Sequence, residues 1–201
     1  DYLWHNINDG RLLYWYIDGD NLKGYQFLGY TMGPPWRVAT TFDSDGSGRP
    51  AIVYYNTSTG VVRIIQQDNA TVLGQYDLAD TVSSPWSVVA AAEVVADTDD
   101  ELLLYNPATG QILYWNVTGP TRTNGALYAN TQDTSLAYKL VSAKTDFNND
   151  GLADILWHNP TPTGAFSVWF MNGLTRLGTG SFTPFSATDP VWLVVGSANI
   201  W

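Results

Sequence analysis

The sequence contains no cysteine, which excludes a disulfide-stapled scaffold, a thiol nucleophile and a zinc–thiolate site. It is also poor in the residues that dress exposed helices. Of nineteen acidic residues only Glu93 and Glu101 are Glu, and of nine basic residues only Lys23, Lys139 and Lys144 are Lys. The remaining acids are Asp, which with Asn and Gly belongs to turns and metal loops, so the composition is that of an all-β protein. Apolar runs stay short of the roughly eighteen residues that a membrane-spanning helix needs, and no charged n-region with an apolar h-region opens the chain. Positive charge is scarce, and the formal net charge of -10 repels phosphate backbones and anionic membranes, which argues against nucleic-acid partners. The first residue is Asp1 rather than Met. The expectation is an upstream segment removed either by processing, as by signal-peptide cleavage, or by the choice of the segment expressed.

What the sequence does contain is a fourfold repeat. Asp1-Tyr-Leu-Trp-His-Asn6, Ala51-Ile-Val-Tyr-Tyr-Asn56, Glu101-Leu-Leu-Leu-Tyr-Asn106 and Asp154-Ile-Leu-Trp-His-Asn159 are one pattern, and their closing Asn residues lie 50, 50 and 53 positions apart. After each Asn comes a turn ending in Gly10, Gly60, Gly110 or Gly164, then an alternating run carrying Trp15, Ile65, Trp115 or Trp169, then a second turn at Gly19, Asn69, Gly119 or Gly173. Asn69 is the replacement for Gly that a left-handed turn tolerates best. The repeats close on Trp36-Arg-Val, Trp86-Ser-Val-Val, Tyr138-Lys-Leu-Val and Trp192-Leu-Val-Val. About four short strands per repeat make one blade, so residues 1–201 read as a single four-bladed β-propeller with repeats near 1–43, 44–93, 94–146 and 147–201. A β-sandwich or open solenoid is the alternative. Both ends fall inside an inter-repeat loop, so Asp1 and Trp201 are expected to meet at a seam, to belong to a longer array, or to dock on neighbouring molecules.

One motif carries chemistry. Asp146-Phe-Asn148-Asn-Asp150-Gly151-Leu152-Ala-Asp154 places oxygen ligands at alternate positions with Gly at the sixth. Calcium takes six to eight hard oxygens, and this spacing wraps Asp146, Asn148, Asp150, the Leu152 carbonyl and Asp154 round one ion. An Asx-rich turn without metal is the alternative. Asp43, Asp45 and Ser47 repeat the register, but Ala51 replaces the closing acid, so this site is expected to be weaker or empty. In the third repeat Asp97, Asp99, Asp100 and Glu101 read as a solvated acidic loop.

These strings, together with Val168-Trp-Phe-Met-Asn-Gly173 and Trp192-Leu-Val-Val-Gly, resemble the FG-GAP/VCBS-type repeats of bacterial extracellular proteins. The resemblance implies a β-propeller with calcium in the inter-strand loops, in proteins of adhesion, matrix or ligand binding. On that basis the expectation is a non-catalytic calcium-binding protein acting in adhesion or ligand binding at a cell surface. The alternatives are a self-assembling subunit of an extracellular filament or layer, and a glycan-binding propeller lectin.

Enzyme signatures are lacking: there is no G-x-S-x-G elbow, phosphate-cradling Gly loop or H-E-x-x-H helix. His5 and His158 share one repeat position with Tyr55 and Tyr105, which reads as blade packing. The period-locked aromatics read as inter-blade core, and Tyr14, Tyr16 and Tyr25 as surface candidates for sugar stacking. Asn56, Asn69 and Asn116 head glycosylation acceptor patterns.

Overall fold

The Asn that marks each repeat acts as a turn cap. In the computed structural model, which describes residues 2–43, 46–95, 99–132, 138–159 and 165–182, Oδ1 of Asn56 accepts the N–H groups of Ser58 and Thr59, each at 3.0 Å. Asn106 does the same for Ala108 and Thr109, and Asn6 for Asn8 and Asp9. Gly10, Gly60 and Gly110 then donate back to the carbonyl of that Asn, at φ values of 79, 75 and 71°. Only Gly fits. A Cβ on Gly60 would lie 2.2 Å from the Val82 oxygen, and one on Gly110 1.9 Å from the Gln132 oxygen.

These turns fix the hairpin register of four antiparallel sheets in chain order. The first holds β1 (Tyr2–His5), β2 (Arg11–Asp18) and β3 (Asn21–Thr31), and the second β4 (Trp36–Phe42), β5 (Ala51–Asn56), β6 (Val61–Asp68) and β7 (Thr71–Thr81). The third holds β8 (Ser87–Ala92), β9 (Glu101–Asn106), β10 (Gln111–Thr118) and β11 (Thr121–Leu127), and the fourth β12 (Lys139–Thr145), β13 (Asp154–His158), β14 (Phe166–Asn172) and β15 (Thr175–Phe182). They are the blades of a four-bladed β-propeller. Among the described residues there is no helix, and so none long and apolar enough to cross a membrane. The second turn has positive φ at Gly19, Asn69, Gly119 and Gly173 alike. A register shift also recurs, after Tyr16, Gln66, Asn116 and Phe170, and such bulges add local twist to each blade.

The phase of the blades differs from the sequence reading. The apolar runs at Trp36, Trp86 and Tyr138, read as the last strand of a repeat, lie at the start of the next sheet: β4 pairs with β5, β8 with β9 and β12 with β13. The chain reverses across the loops after Phe42, Ala92 and Thr145, so the strands flanking each loop become antiparallel neighbours. The fourth run, Trp192-Leu-Val-Val, lies outside the described residues, as do Asp1, Gly164 and Trp201.

Alternation then builds the core between sheets. Ile52, Tyr54 and Ile65 pack with Leu12, Leu28 and Met32 of the first sheet. Val53, Tyr55, Val62 and Ile64, on the opposite face, meet Leu102, Leu104 and Trp115 of the third. The far face of the third sheet, with Leu103, Tyr105, Ile112 and Tyr114, meets Ile155, Trp157, Trp169 and Met171 of the fourth. Because both faces are covered, β5 and β9 are buried at each residue and read as continuous apolar runs.

The position before the register Asn carries packing across blades. The His5 ring meets Tyr54 edge-on at 5.8 Å, Tyr55 Oη donates to the Trp86 carbonyl, and Tyr105 meets Trp157 at 5.2 Å. His158 stacks on Phe166 within the fourth sheet at 4.6 Å. Tyr14 departs from its expected surface role. It occupies the same face as Leu12, packs against the first inter-sheet cluster and accepts a hydrogen bond from Gln67 of β6. Tyr16 is half-buried, whereas Tyr25 is exposed beside Phe27.

Candidate metal-binding loops

The Asp146 loop connects β12 to β13 and is turned by its own side chains. Asp146 Oδ1 accepts the N–H groups of Asn149 at 2.7 Å and Asp150 at 3.2 Å, and its Oδ2 accepts that of Gly151 at 2.8 Å. Asn148 Oδ1 accepts from Asp150 N, and Asp150 Oδ1 from Leu152 N. Asn149 and Gly151 hold φ values of 61 and 89°, which closes the loop tightly enough for side chains at alternate positions to share one end. The backbone donors, that of Gly151 foremost, hold the Asp146 carboxyl below its ordinary range.

Asp154 plays a different part from the exposed loop acids. It is fully buried, and its two oxygens accept the N–H groups of Phe147 and Met171, each at 2.9 Å. Burial pushes its carboxyl up, against the pull of those two hydrogen bonds, and the charges of Asp150 and Asp146 add to the rise. Asp154 thus knits the loop to β14.

The donors suit calcium in chemistry: carboxylates, an amide oxygen and a peptide carbonyl are hard oxygen ligands. Among the described residues, no three His, Cys, Asp or Glu side chains form a metal-holding group; a site in this loop would draw on the Asn148 amide oxygen and the Leu152 carbonyl as well. The Asp43 loop has the same hydrogen-bond frame, with Asp43 accepting from Ser47 N at 3.2 Å and Gly48 N at 2.6 Å. Asp45 lies outside the described residues.

The third loop corrects the reading of a solvated acidic segment. Glu101, in the register of Asp154, is fully buried. Its Oε2 accepts from Val94 N at 2.7 Å and Val95 N at 3.1 Å, and its Oε1 from the Asn116 amide at 3.0 Å. Asp100 links its own loop to the loop after β4 and to β12: its carboxylate accepts from Asp43 N at 2.8 Å and pairs with Lys144 at 2.5 Å. Asp97 lies outside the described residues. The sequence signal for Glu101 was its place directly before the apolar run, where the fourth repeat has Asp154.

Of the glycosylation acceptors, Asn69 is exposed on the β6–β7 turn. Asn56 is buried as a turn cap, and Asn116 is half-buried with its amide on Glu101.

No protein-family model matches the chain, and no curated protein matches it. A solved structure of a protein of unknown function from Bacteroides caccae is similar at 11% identity and a TM-score of 0.46, over 89% of this chain and 56% of that one. The chain thus spans little more than half the length of that protein.

Proposed function

We propose that the chain is a non-catalytic, calcium-binding extracellular propeller that acts in adhesion or ligand binding at a cell surface. The observation that carries this reading is the Asp146 loop, whose turn is already held by Asp146, Asn148 and Asp150 through backbone N–H groups. Asp146, Asn148, Asp150, the Leu152 carbonyl and Asp154 would hold the ion, and Asp154 also ties the loop to β14 through the Met171 N–H. Bound calcium would supply a positive charge that offsets the loop acids and braces the end of the blade. The Asp43 loop, with Ala51 in place of the closing acid, is the weaker site.

Thermal unfolding with calcium and with a chelator tests this. At a hundredfold excess over its dissociation constant, one site adds about 2.7 kcal/mol, or roughly 5–10 °C for a chain of this size. Asp150→Ala removes most of that gain and Asp45→Ala little of it. A calcium-insensitive wild type, or equal losses in the two variants, overturns the reading.

A second reading, a self-associating subunit of an extracellular filament or layer, is favoured by the uncovered outer face of the first sheet, where Tyr2 is 61% and Trp4 50% exposed.

A further inference from the structure

The next-to-last residue of β2, β6, β10 and β14 is Ile17, Gln67, Val117 and Met171 in turn. Gln67 is the polar member of this apolar series, yet it is only 6% exposed, close to Val117 at 3% and Met171 at 2%. Its amide is held one way round. Nε2 donates to the Pro50 carbonyl at 3.1 Å and to the Tyr14 hydroxyl, and a flipped amide would set its oxygen against the carbonyl oxygen of Pro50. Oε1 is therefore left buried without a hydrogen-bond partner, whereas most buried acceptors have one. Packing alone does not ask for Gln here, because Met171 fills the equivalent place in the fourth sheet.

Gln67 lines a cavity of about 400 Å³ between the first two sheets, with Leu3, Tyr14, Thr41, Arg49 and Asp68 among its other walls. That volume falls within the roughly 300–1,000 Å³ of small-molecule sites. A smaller cavity, about 160 Å³, occupies the equivalent place between the third and fourth sheets, where Met171 stands for Gln67, Ala143 for Thr41 and Leu152 for Arg49. Three apolar positions have thus become polar together around one recess. Its interior is neutral: Gln67 is buried and Leu3, Tyr14 and Thr41 are half-buried, whereas Arg49 and Asp68, of opposite charge, stand exposed at the mouth. Tyr14 Oη accepts from Gln67 Nε2, so its own hydrogen remains to be given. The recess therefore sets an acceptor, Gln67 Oε1, close to a donor, the Tyr14 hydroxyl.

We propose that this cavity binds one neutral sugar ring, whose hydroxyl groups meet Gln67 Oε1 and the Tyr14 hydroxyl. A hydroxyl both gives and accepts a hydrogen bond, which matches an acceptor set close to a donor, and a sugar carries several hydroxyls on one compact ring. The carbon-bound hydrogens of that ring suit the apolar wall at Leu3. A carboxylate or ammonium group fits the same floor poorly, because desolvating an ion away from a countercharge costs far more than desolvating a hydroxyl. This inference rests on the ligand-binding part of the proposed function, to which it gives a site and a ligand class, and it asks nothing of the Asp146 loop.

Saturation-transfer difference NMR on the wild-type chain tests this with glucose, galactose and mannose, each beside its uronic acid as a charged probe. At least one neutral sugar should bind saturably, and its uronic acid more weakly. Gln67→Met, which places the side chain of the fourth repeat in the second, should lower the affinity about tenfold or more, the worth of one hydrogen bond, while the thermal midpoint stays within a few degrees of the wild type. Tyr14→Phe keeps the ring, removes only the hydroxyl and should lower the affinity likewise. A wild type that binds none of the three sugars, a uronic acid that binds as well as its neutral parent, or binding that survives either variant unchanged overturns the proposal. Methyl glycosides of the same sugars stand for chain ends: binding of these or of the free sugars supports the site, and binding of the glycosides ties it to a surface glycan. The calcium-induced thermal shift is read separately on wild type and Gln67→Met. Absent sugar binding beside an intact shift removes this inference and leaves the calcium reading standing, and sugar binding without a shift does the reverse.

Discussion

Replacing Gly110 and Gly119 one at a time by Ala separates steric need from backbone preference at the turns on either side of β10. Both residues have positive φ, 71° at Gly110 and 55° at Gly119, so each Ala incurs the left-handed penalty of about 1–2 kcal/mol. They differ in what a Cβ meets. At Gly119 nothing lies within 4 Å, while at Gly110 the Gln132 carbonyl oxygen lies at 1.9 Å and its carbon at 2.9 Å. Relief of that overlap requires a backbone shift of more than about an ångström, which also breaks the 2.8 Å hydrogen bond from Gln132 N to the Gly110 carbonyl. Leaving that buried pair unmade adds about 1–3 kcal/mol, and the overlap itself adds a core-strain term of about 1–3 kcal/mol. Gly110→Ala should therefore cost at least about 3 kcal/mol against about 1 for Gly119→Ala. For a chain of this size each kcal/mol moves the midpoint by roughly 2–4 °C, so thermal unfolding followed by circular dichroism resolves the two. Equal drops in midpoint would refute the argument that the Asn-to-Gly turn is fixed by close backbone approach.

Two further perturbations test the buried polar groups. Glu101→Ala strands the Val94 N–H and the Asn116 amide, both half-buried, at up to about 1–3 kcal/mol for each left unpaired. Its midpoint should fall well below that of an exposed-acid control such as Asp18→Ala, and a similar midpoint would return Glu101 to the class of solvated loop acids. Burial, and secondarily the charge of Lys139, hold the His158 imidazole below its ordinary value. The unfolded chain thus takes up a proton near pH 6.5 that the folded chain refuses. Stability is full above that value and falls as the pH drops toward the folded one. Denaturant titrations should show His158→Phe losing less stability than the parent between about pH 7 and pH 5, and parallel losses would contradict that account.

The four-blade plan was legible because each repeat carries the same punctuation. Asn6, Asn56 and Asn106 cap the same turn, and Asn69 takes the left-handed position that Gly fills elsewhere. The phase of the blades was not legible. Strand runs such as Trp36-Arg-Val look alike whether they end one sheet or begin the next, and only the pairing of β4 with β5 decides. At the loops, the exposed frame of Asp146, Asn148 and Asp150 could be read from ligand spacing alone, because its hydrogen bonds are local. The role of Glu101 could not be read in the same way, since its partners include Asn116, a residue of the neighbouring strand. Tyr14 was misread for a related reason: its partner Gln67 sits on another blade.

Calcium titration calorimetry of the wild-type chain beside Asp150→Ala, at neutral pH after exhaustive chelation, tests the central claim most directly. The account predicts one dominant site in the wild type, lost in Asp150→Ala. A wild type that releases no binding heat and shows no calcium uptake by equilibrium dialysis, or a dominant site that survives Asp150→Ala unchanged, would contradict it.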